Sequence, residues 1–182
     1  MRLGGIEKCS FVDYPGHLTA TVFTKGCNFN CFYCHNRSLI EQSAASPRRE
    51  AADPSDRSDP SDRSTASTVS AAPSTSSAQF LHWLDTRQGK LDAVTITGGE
   101  PTLQRNLPTF IREVRARGFK VKLDTNGSRP WVLEALLDED LLDYVAMDVK
   151  APLDKYKQYA GVAAALTDEQ ELVDNVRRSM AL

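Results

Sequence analysis

Apolar positions along this chain fall into short runs that switch between two periods. Leu18–Phe23 is dense in β-branched and aromatic residues and reads as a short buried strand. Gln79–Arg87, with Phe80, Leu81, Trp83 and Leu84, predicts a short helix stopped by Gly89. Leu91–Thr97 is the next strand. Asn106–Arg117 repeats at helical spacing, with Leu107, Phe110, Ile111 and Val114 on one face and Gly118 after it. Phe119–Leu123 predicts a strand. Ser128 caps a helix beginning near Pro130 that carries Trp131, Leu133, Leu136 and Leu137. Asp143–Val149 is a fourth strand, and Thr167-Asp168-Glu169-Gln170 reads as a capping box opening a last helix through Arg178. Strands that alternate with helices predict right-handed βαβ units and a parallel sheet, an α/β fold.

Residues 43–77 break the pattern. They hold almost nothing large and apolar except Val69, and Asp-Pro-Ser-Asp-Arg-Ser occurs at 53–58 and again at 59–64. Such a segment buries too little surface to offset its ordering entropy. It reads as a disordered, low-complexity insertion in an otherwise single domain spanning 1–182.

The formal charge of −2 argues against nucleic acid or an anionic membrane as a general partner. No apolar run approaches a membrane span, and the N-terminus lacks a signal-peptide pattern. A reducing cytoplasm is the expected compartment.

Chemistry enters with the cysteines. Cys27, Cys31 and Cys34 follow the first strand at C-x3-C-x2-C spacing, interleaved with Phe29, Phe32 and Tyr33. Three thiolates this close can hold three irons of a [4Fe–4S] cluster and leave the fourth open to an outside ligand. A disulfide with a spare thiol fits poorly in a chain with no mark of secretion. Zinc on the three cysteines and His35 is the better alternative, although ligands adjacent at 34 and 35 are awkward for a tetrahedral site. Cys9, beside Phe11 and Val12, reads as a buried structural thiol.

Each later strand ends in a polar cluster. Thr97-Gly98-Gly99-Glu100-Pro101 offers backbone that a ligand can approach, and a carboxylate; it is also simply a turn. Asp124-Thr125-Asn126-Gly127 suits an Asx-type turn, or a grip on hydroxyls and a carboxylate. In Met147-Asp148-Val149-Lys150, period-two alternation puts Asp148 and Lys150 on one face, as a structural ion pair or a pair aimed at a ligand. Polar tips on successive strand ends are what the C-terminal face of a barrel looks like.

The cysteine run, with Tyr33 just before its last member, resembles the signature of the radical S-adenosylmethionine (SAM) superfamily. Gly4-Gly5-Ile6, Asp13-Tyr14-Pro15-Gly16 and Cys34-His35-Asn36 resemble the activating proteins of anaerobic ribonucleoside-triphosphate reductase, relatives of the pyruvate formate-lyase activating enzymes. The resemblance covers residues 1–42 and 79–182. It implies a partial (β/α) barrel and two cofactors, a [4Fe–4S] cluster on Cys27, Cys31 and Cys34 and SAM on the open iron. Gly98, Gly99 and Glu100 then meet the amino group of SAM. Asp124, Thr125 and Asn126 lie beside it, Asp148 and Lys150 point at it, and Tyr33, Cys34 and His35 adjoin it. The implied reaction is reductive cleavage of SAM to a radical that takes a hydrogen atom from a glycine of the partner reductase. A flavodoxin-like or ferredoxin-like protein is the implied electron donor. The resemblance also implies one or two strands beyond the last helix, so this barrel reads as shortened at its C-terminus. Two other readings stand beside the activase: a radical SAM enzyme acting on a small molecule such as a modified purine precursor, and a truncated, non-catalytic metal-binding remnant.

Overall fold

The computed structural model describes residues 1–40, 76–162 and 168–182. The 43–77 insertion lies outside them except for Ser76 and Ser77. Five strands form one sheet in the order β1 (Leu3–Ser10), β2 (Thr19–Thr24), β3 (Ala93–Gly98), β4 (Lys120–Thr125) and β5 (Tyr144–Met147). β2 through β5 are parallel, whereas β1 pairs antiparallel with β2. The helices are α1 (Arg37–Ile40), α2 (Ser77–Asp85), α3 (Leu107–Arg115), α4 (Pro130–Asp138), α5 (Tyr156–Ala160) and α6 (Glu169–Met180). The architecture is the partial (β/α) barrel expected.

β1 was not legible as a strand. Leu-Gly-Gly-Ile-Glu-Lys-Cys-Ser has no clean alternation, and its middle is exposed or half-buried. It is an edge strand with charges on it, which discourages further edge pairing. Its placement also corrects the reading of Cys9. That thiol is exposed, as are its neighbours Phe11 and Val12 in the following loop, so none of them belongs to the core.

The parallel strands alternate by face. Ala20, Val22, Val94, Ile96, Val121 and Leu123 are fully buried in the main core, which also holds Phe80 and Leu84 of α2, Leu107, Ile111 and Val114 of α3, and Leu133 and Leu136 of α4. The opposite face is polar. Thr19 and Thr95 share a hydrogen bond of 3.1 Å, the Thr21 hydroxyl donates to Asp13 at 2.6 Å, and Lys122 pairs with Asp124. Helices cover one side of the sheet, and the other faces the barrel interior.

Caps explain where several helices begin. Ser76 accepts from Gln79 N–H at 3.1 Å while the Gln79 side chain accepts from Ser76 N–H at 2.8 Å, a capping box that starts α2 two residues before the periodicity predicts. Asp168 caps α6 through Gln170 and Glu171 N–H; Thr167, the residue expected in that role, lies outside the described residues. Ser128 does not cap α4. The N-cap position is Arg129, without a side-chain bond, and the Ser128 hydroxyl accepts instead from Asn28 Nδ2 at 2.8 Å.

α5 and α6 form a second, smaller core. Tyr156, Ala160, Leu172, Val173 and Val176 pack with Phe29 and Cys31 of the cysteine loop. α6 also reaches α4 through Arg178 and Glu134, and its buried Ser179 donates to the Gly127 carbonyl at 2.7 Å. α6 thus backs the cysteine loop and the β4 tip. Among the described residues no helix is long and apolar enough to cross a membrane.

Candidate active site

The cysteine loop leaves β2 at its C-terminal end and is held from three sides. Gly26 N–H donates to the Leu39 carbonyl of α1 at 2.8 Å. Asn30 N–H donates to the Ala160 carbonyl at 2.8 Å, and the Cys31 thiol lies 3.7 Å from the same oxygen. The Tyr33 hydroxyl donates to the Lys150 carbonyl at 2.6 Å, and Lys150 N–H donates to the Tyr156 hydroxyl at 3.2 Å. Tyr33 thereby ties the loop to the segment after β5, which Tyr156 of α5 also holds.

One cavity gathers the residues that the resemblance assigns to the cluster and to SAM. Cys27, Cys31, Tyr33, Cys34 and His35 line it from the loop, Gly98, Gly99 and Glu100 from the β3 tip, Asp124, Thr125 and Asn126 from the β4 tip, and Asp148 and Lys150 from the β5 end. Phe29, interleaved with the cysteines as apolar cover, also lines it, as do Asn36, Ile40 and Thr97, which sequence reasoning missed in this role. Ile40 carries no chemical signal. Thr97 was visible as the residue opening the Gly-Gly turn.

The two glycines answer first to the chain itself. A Cβ on Gly98, whose φ is +120°, would stand 2.7 Å from the Thr24 carbonyl oxygen, and one on Gly99 would stand 2.6 Å from the Gly26 carbonyl carbon. The β3 tip lies directly on β2 and on the start of the cysteine loop. Gly99 N–H donates to Thr24 at 3.0 Å and Glu100 N–H to Gly26 at 2.8 Å.

Glu100 is 1% exposed. One carboxylate oxygen accepts from Thr102 N–H at 3.0 Å, the Thr102 hydroxyl at 2.6 Å and the Thr125 hydroxyl at 2.8 Å; the other accepts from Asn126 N–H at 2.8 Å. Burial pushes its carboxyl up, and these bonds oppose that. Thr125 also accepts from Gly127 N–H at 3.2 Å. Asn126 donates to Asn28 at 3.0 Å and accepts from Ser128 N–H at 3.0 Å. These two side chains are thus committed to shaping the turn.

Charge in the pocket is paired. Lys150 Nζ sits 2.7 Å from Asp148. Burial pulls its ammonium down, but Asp148 and the nearby Cys31 hold it above its ordinary value. Asp124 is pushed up by burial against the pull of Lys122. Cys27 is pushed up to about 11 by burial. Cys31 is raised by burial too, with Lys150 and Tyr33 opposing.

These are four free thiols, three of them on one loop facing one cavity. Among the described residues no three His, Cys, Asp or Glu side chains are gathered closely enough for a single metal ion. A cluster, which seats each cysteine on its own iron, asks for no such gathering. The family model of the radical SAM superfamily matches residues 21–180.

The chain belongs to the radical SAM superfamily.

This is a superfamily of enzymes, and its cofactors are a [4Fe–4S] cluster and SAM. A protein of Methanocaldococcus jannaschii, provisionally named a glycyl-radical enzyme activating enzyme, is 36% identical over 86% of this chain and 53% of its own length. The 7-carboxy-7-deazaguanine synthase of Methanopyrus kandleri is 33% identical over 76% of this chain and 52% of its own. The solved structure of QueE from Escherichia coli matches with a TM-score of 0.42 at 20% identity, over 70% of this chain and 53% of that one. The chain spans about half the length of the relatives it matches.

Proposed function

We propose that this chain forms the radical-generating centre of a glycyl-radical enzyme activating protein. The observation that carries the chemistry is the single cavity in which the three-cysteine loop faces three polar strand tips. Cys27, Cys31 and Cys34 hold three irons. Gly99 and Glu100 spend their N–H groups on Thr24 and Gly26. What the turn then offers a ligand is carbonyl oxygen, an acceptor suited to the ammonium of SAM. Lys150 presents an ammonium to the ligand's carboxylate, and Asp124 presents an acceptor for ribose hydroxyls. Tyr33 and His35 form the rim. When bound and reduced, the cluster supplies one electron that cleaves SAM to a carbon radical able to take a hydrogen atom from glycine.

The protein partner rests on the flanks Asp13-Tyr14-Pro15-Gly16 and Cys34-His35-Asn36 and on the 36% identity to the provisionally named activase. Anaerobic ribonucleoside-triphosphate reductase is the proposed partner, with a flavodoxin-like or ferredoxin-like donor. A second reading, a small-molecule radical SAM enzyme, is favoured by the 33% identity to the deazaguanine synthase.

The test is anaerobic reconstitution with iron and sulfide, reduction, and addition of SAM, with and without the reductase. The activase reading expects 5′-deoxyadenosine and a glycyl-radical resonance on the reductase. Cleavage of SAM coupled instead to turnover of the synthase's small-molecule substrate would replace it with the second reading. A cluster that never cleaves SAM would overturn both.

A further inference from the structure

An ionised carboxylate has about four acceptor sites. Glu100 meets four donors, all from the protein: two on Thr102, one on Thr125 and one on Asn126. It is 1% exposed, and the ammonium groups of Lys122 and Lys150 are paired with Asp124 and Asp148 rather than with it. Three of these donors converge on one oxygen and the Asn126 N–H holds the other, so both oxygens are engaged by the protein before any ligand arrives. Two of the four bonds cross from the β3 tip to the β4 tip. From there the contacts run on through Asn126 to Asn28 in the cysteine loop, and from Asn28 to Ser128.

We propose that Glu100 is a positioning residue, whose buried carboxylate fastens the Asp124–Ser128 turn to the Gly98–Gly99 tip so that the two walls of the SAM pocket are set as one piece. The inference rests on the reading that SAM lies between those tips, and it replaces a direct contact of this carboxylate with the ligand by a structural one. Its logic is one of donors and acceptors. Glu100→Gln keeps the shape but turns one acceptor into a donor. In either orientation of the amide, a backbone N–H then faces an NH2 group, that of Asn126 in one and that of Thr102 in the other. Hydroxyls can rotate to adapt, but a backbone N–H cannot.

The experiment has two readouts. Amide hydrogen exchange is followed at Thr102 and across Asp124–Ser128 in the metal-free protein, and SAM dissociation is measured on the anaerobically reconstituted protein with its iron content determined. In the wild type the Asn126 amide is protected. In Glu100→Gln its exchange, or that of the Thr102 amide in the other orientation of the side chain, rises by about tenfold or more, and SAM binds about ten- to a hundredfold more weakly at unchanged iron content. Weakened SAM binding with exchange unchanged would overturn the proposal and make Glu100 a direct ligand contact. Wild-type behaviour in both readouts would overturn it as well. Should Glu100→Gln fail to fold, Thr102→Val decides, since it deletes one donor from a residue outside the cavity wall. The expected result is a rise of about threefold in Asn126 exchange with a parallel loss of SAM affinity; no change in either overturns the proposal. If the wild type does not bind SAM at all, the functional reading falls, while the exchange result alone still tells whether Glu100 fastens the turn.

Discussion

Gly99→Ala tests how closely the β3 tip sits on the cysteine loop. The added methyl would stand 2.6 Å from the Gly26 carbonyl carbon and 3.3 Å from Cys27 N. Ordinary contact begins at 3.4 Å, and the Gly26 carbonyl oxygen is nearer still than the carbon, so backbone, not a flexible side chain, must absorb a shift of at least about 0.8 Å. The same Gly26 carbonyl accepts Glu100 N–H at 2.8 Å, and Cys27 is the next residue. The substitution therefore both overpacks and moves Cys27, a proposed cluster ligand, away from the β3 tip. Overpacking of this kind costs about 1–3 kcal/mol. For a chain of this length that lowers Tm by about 2–12 °C. A misplacement approaching 1 Å costs about a hundredfold in a reaction that depends on orientation. Two measurements follow: thermal unfolding of the metal-free protein, and 5′-deoxyadenosine formation by the reconstituted one. Val114→Ala, in the fully buried main core, is the matched control. It should lose comparable stability through its cavity, about 1–3 kcal/mol, yet retain SAM cleavage. Gly99→Ala that melts and cleaves SAM like the wild type would refute the packing argument. A loss of cleavage equal to that of Val114→Ala would show that stability alone was being read.

Replacing Cys27, Cys31 or Cys34 by Ala should abolish cluster assembly, whereas exposed Cys9→Ala should not; iron and sulfide content with the cluster's visible absorption decides, and a full cluster in any of the first three would sink the ligand assignment. Because burial holds the Cys27 thiol at about 11 against an ordinary 9.0, the folded metal-free protein keeps that proton longer than the unfolded chain does. Its contribution is intact below pH 9 and is lost as pH rises towards 11, by about 3 kcal/mol for a two-unit shift. Urea unfolding of wild type against Cys27→Ser across that window should show the difference, and parallel pH profiles would refute it. Ser179→Ala removes the donor to the buried Gly127 carbonyl and should cost about 1–2 kcal/mol in the same assay. An unchanged midpoint would mean that α6 does not brace the β4 tip.

The sequence by itself determined the chemistry and the order of the parallel elements. Three thiols within eight residues, a Gly-Gly-Glu turn and an alternating Asp148/Lys150 pair are local facts, and locality is what periodicity and spacing can read. β2 through β4 and α2, α3, α4 and α6 were legible within a few residues because each buries a regular apolar stretch, and β5, which buries none of its residues fully, through its apolar run Tyr144–Met147. β1 was not, since an edge strand beside polar loop residues carries no such face. Cys9 was misjudged for the same reason: exposure is decided by which neighbours arrive from elsewhere in the chain. Ser128 had the chemistry of a cap, but tertiary contact gave its hydroxyl to Asn28, 100 residues away. Only the folded molecule decided that the two glycines make room for β2 and the cysteine loop, and that α5 and α6 back that loop. It alone placed the Glu100 carboxylate among four protein donors. Those outcomes depend on contacts between segments remote in sequence, where a side chain's role is fixed by the geometry of its partners rather than by its own type.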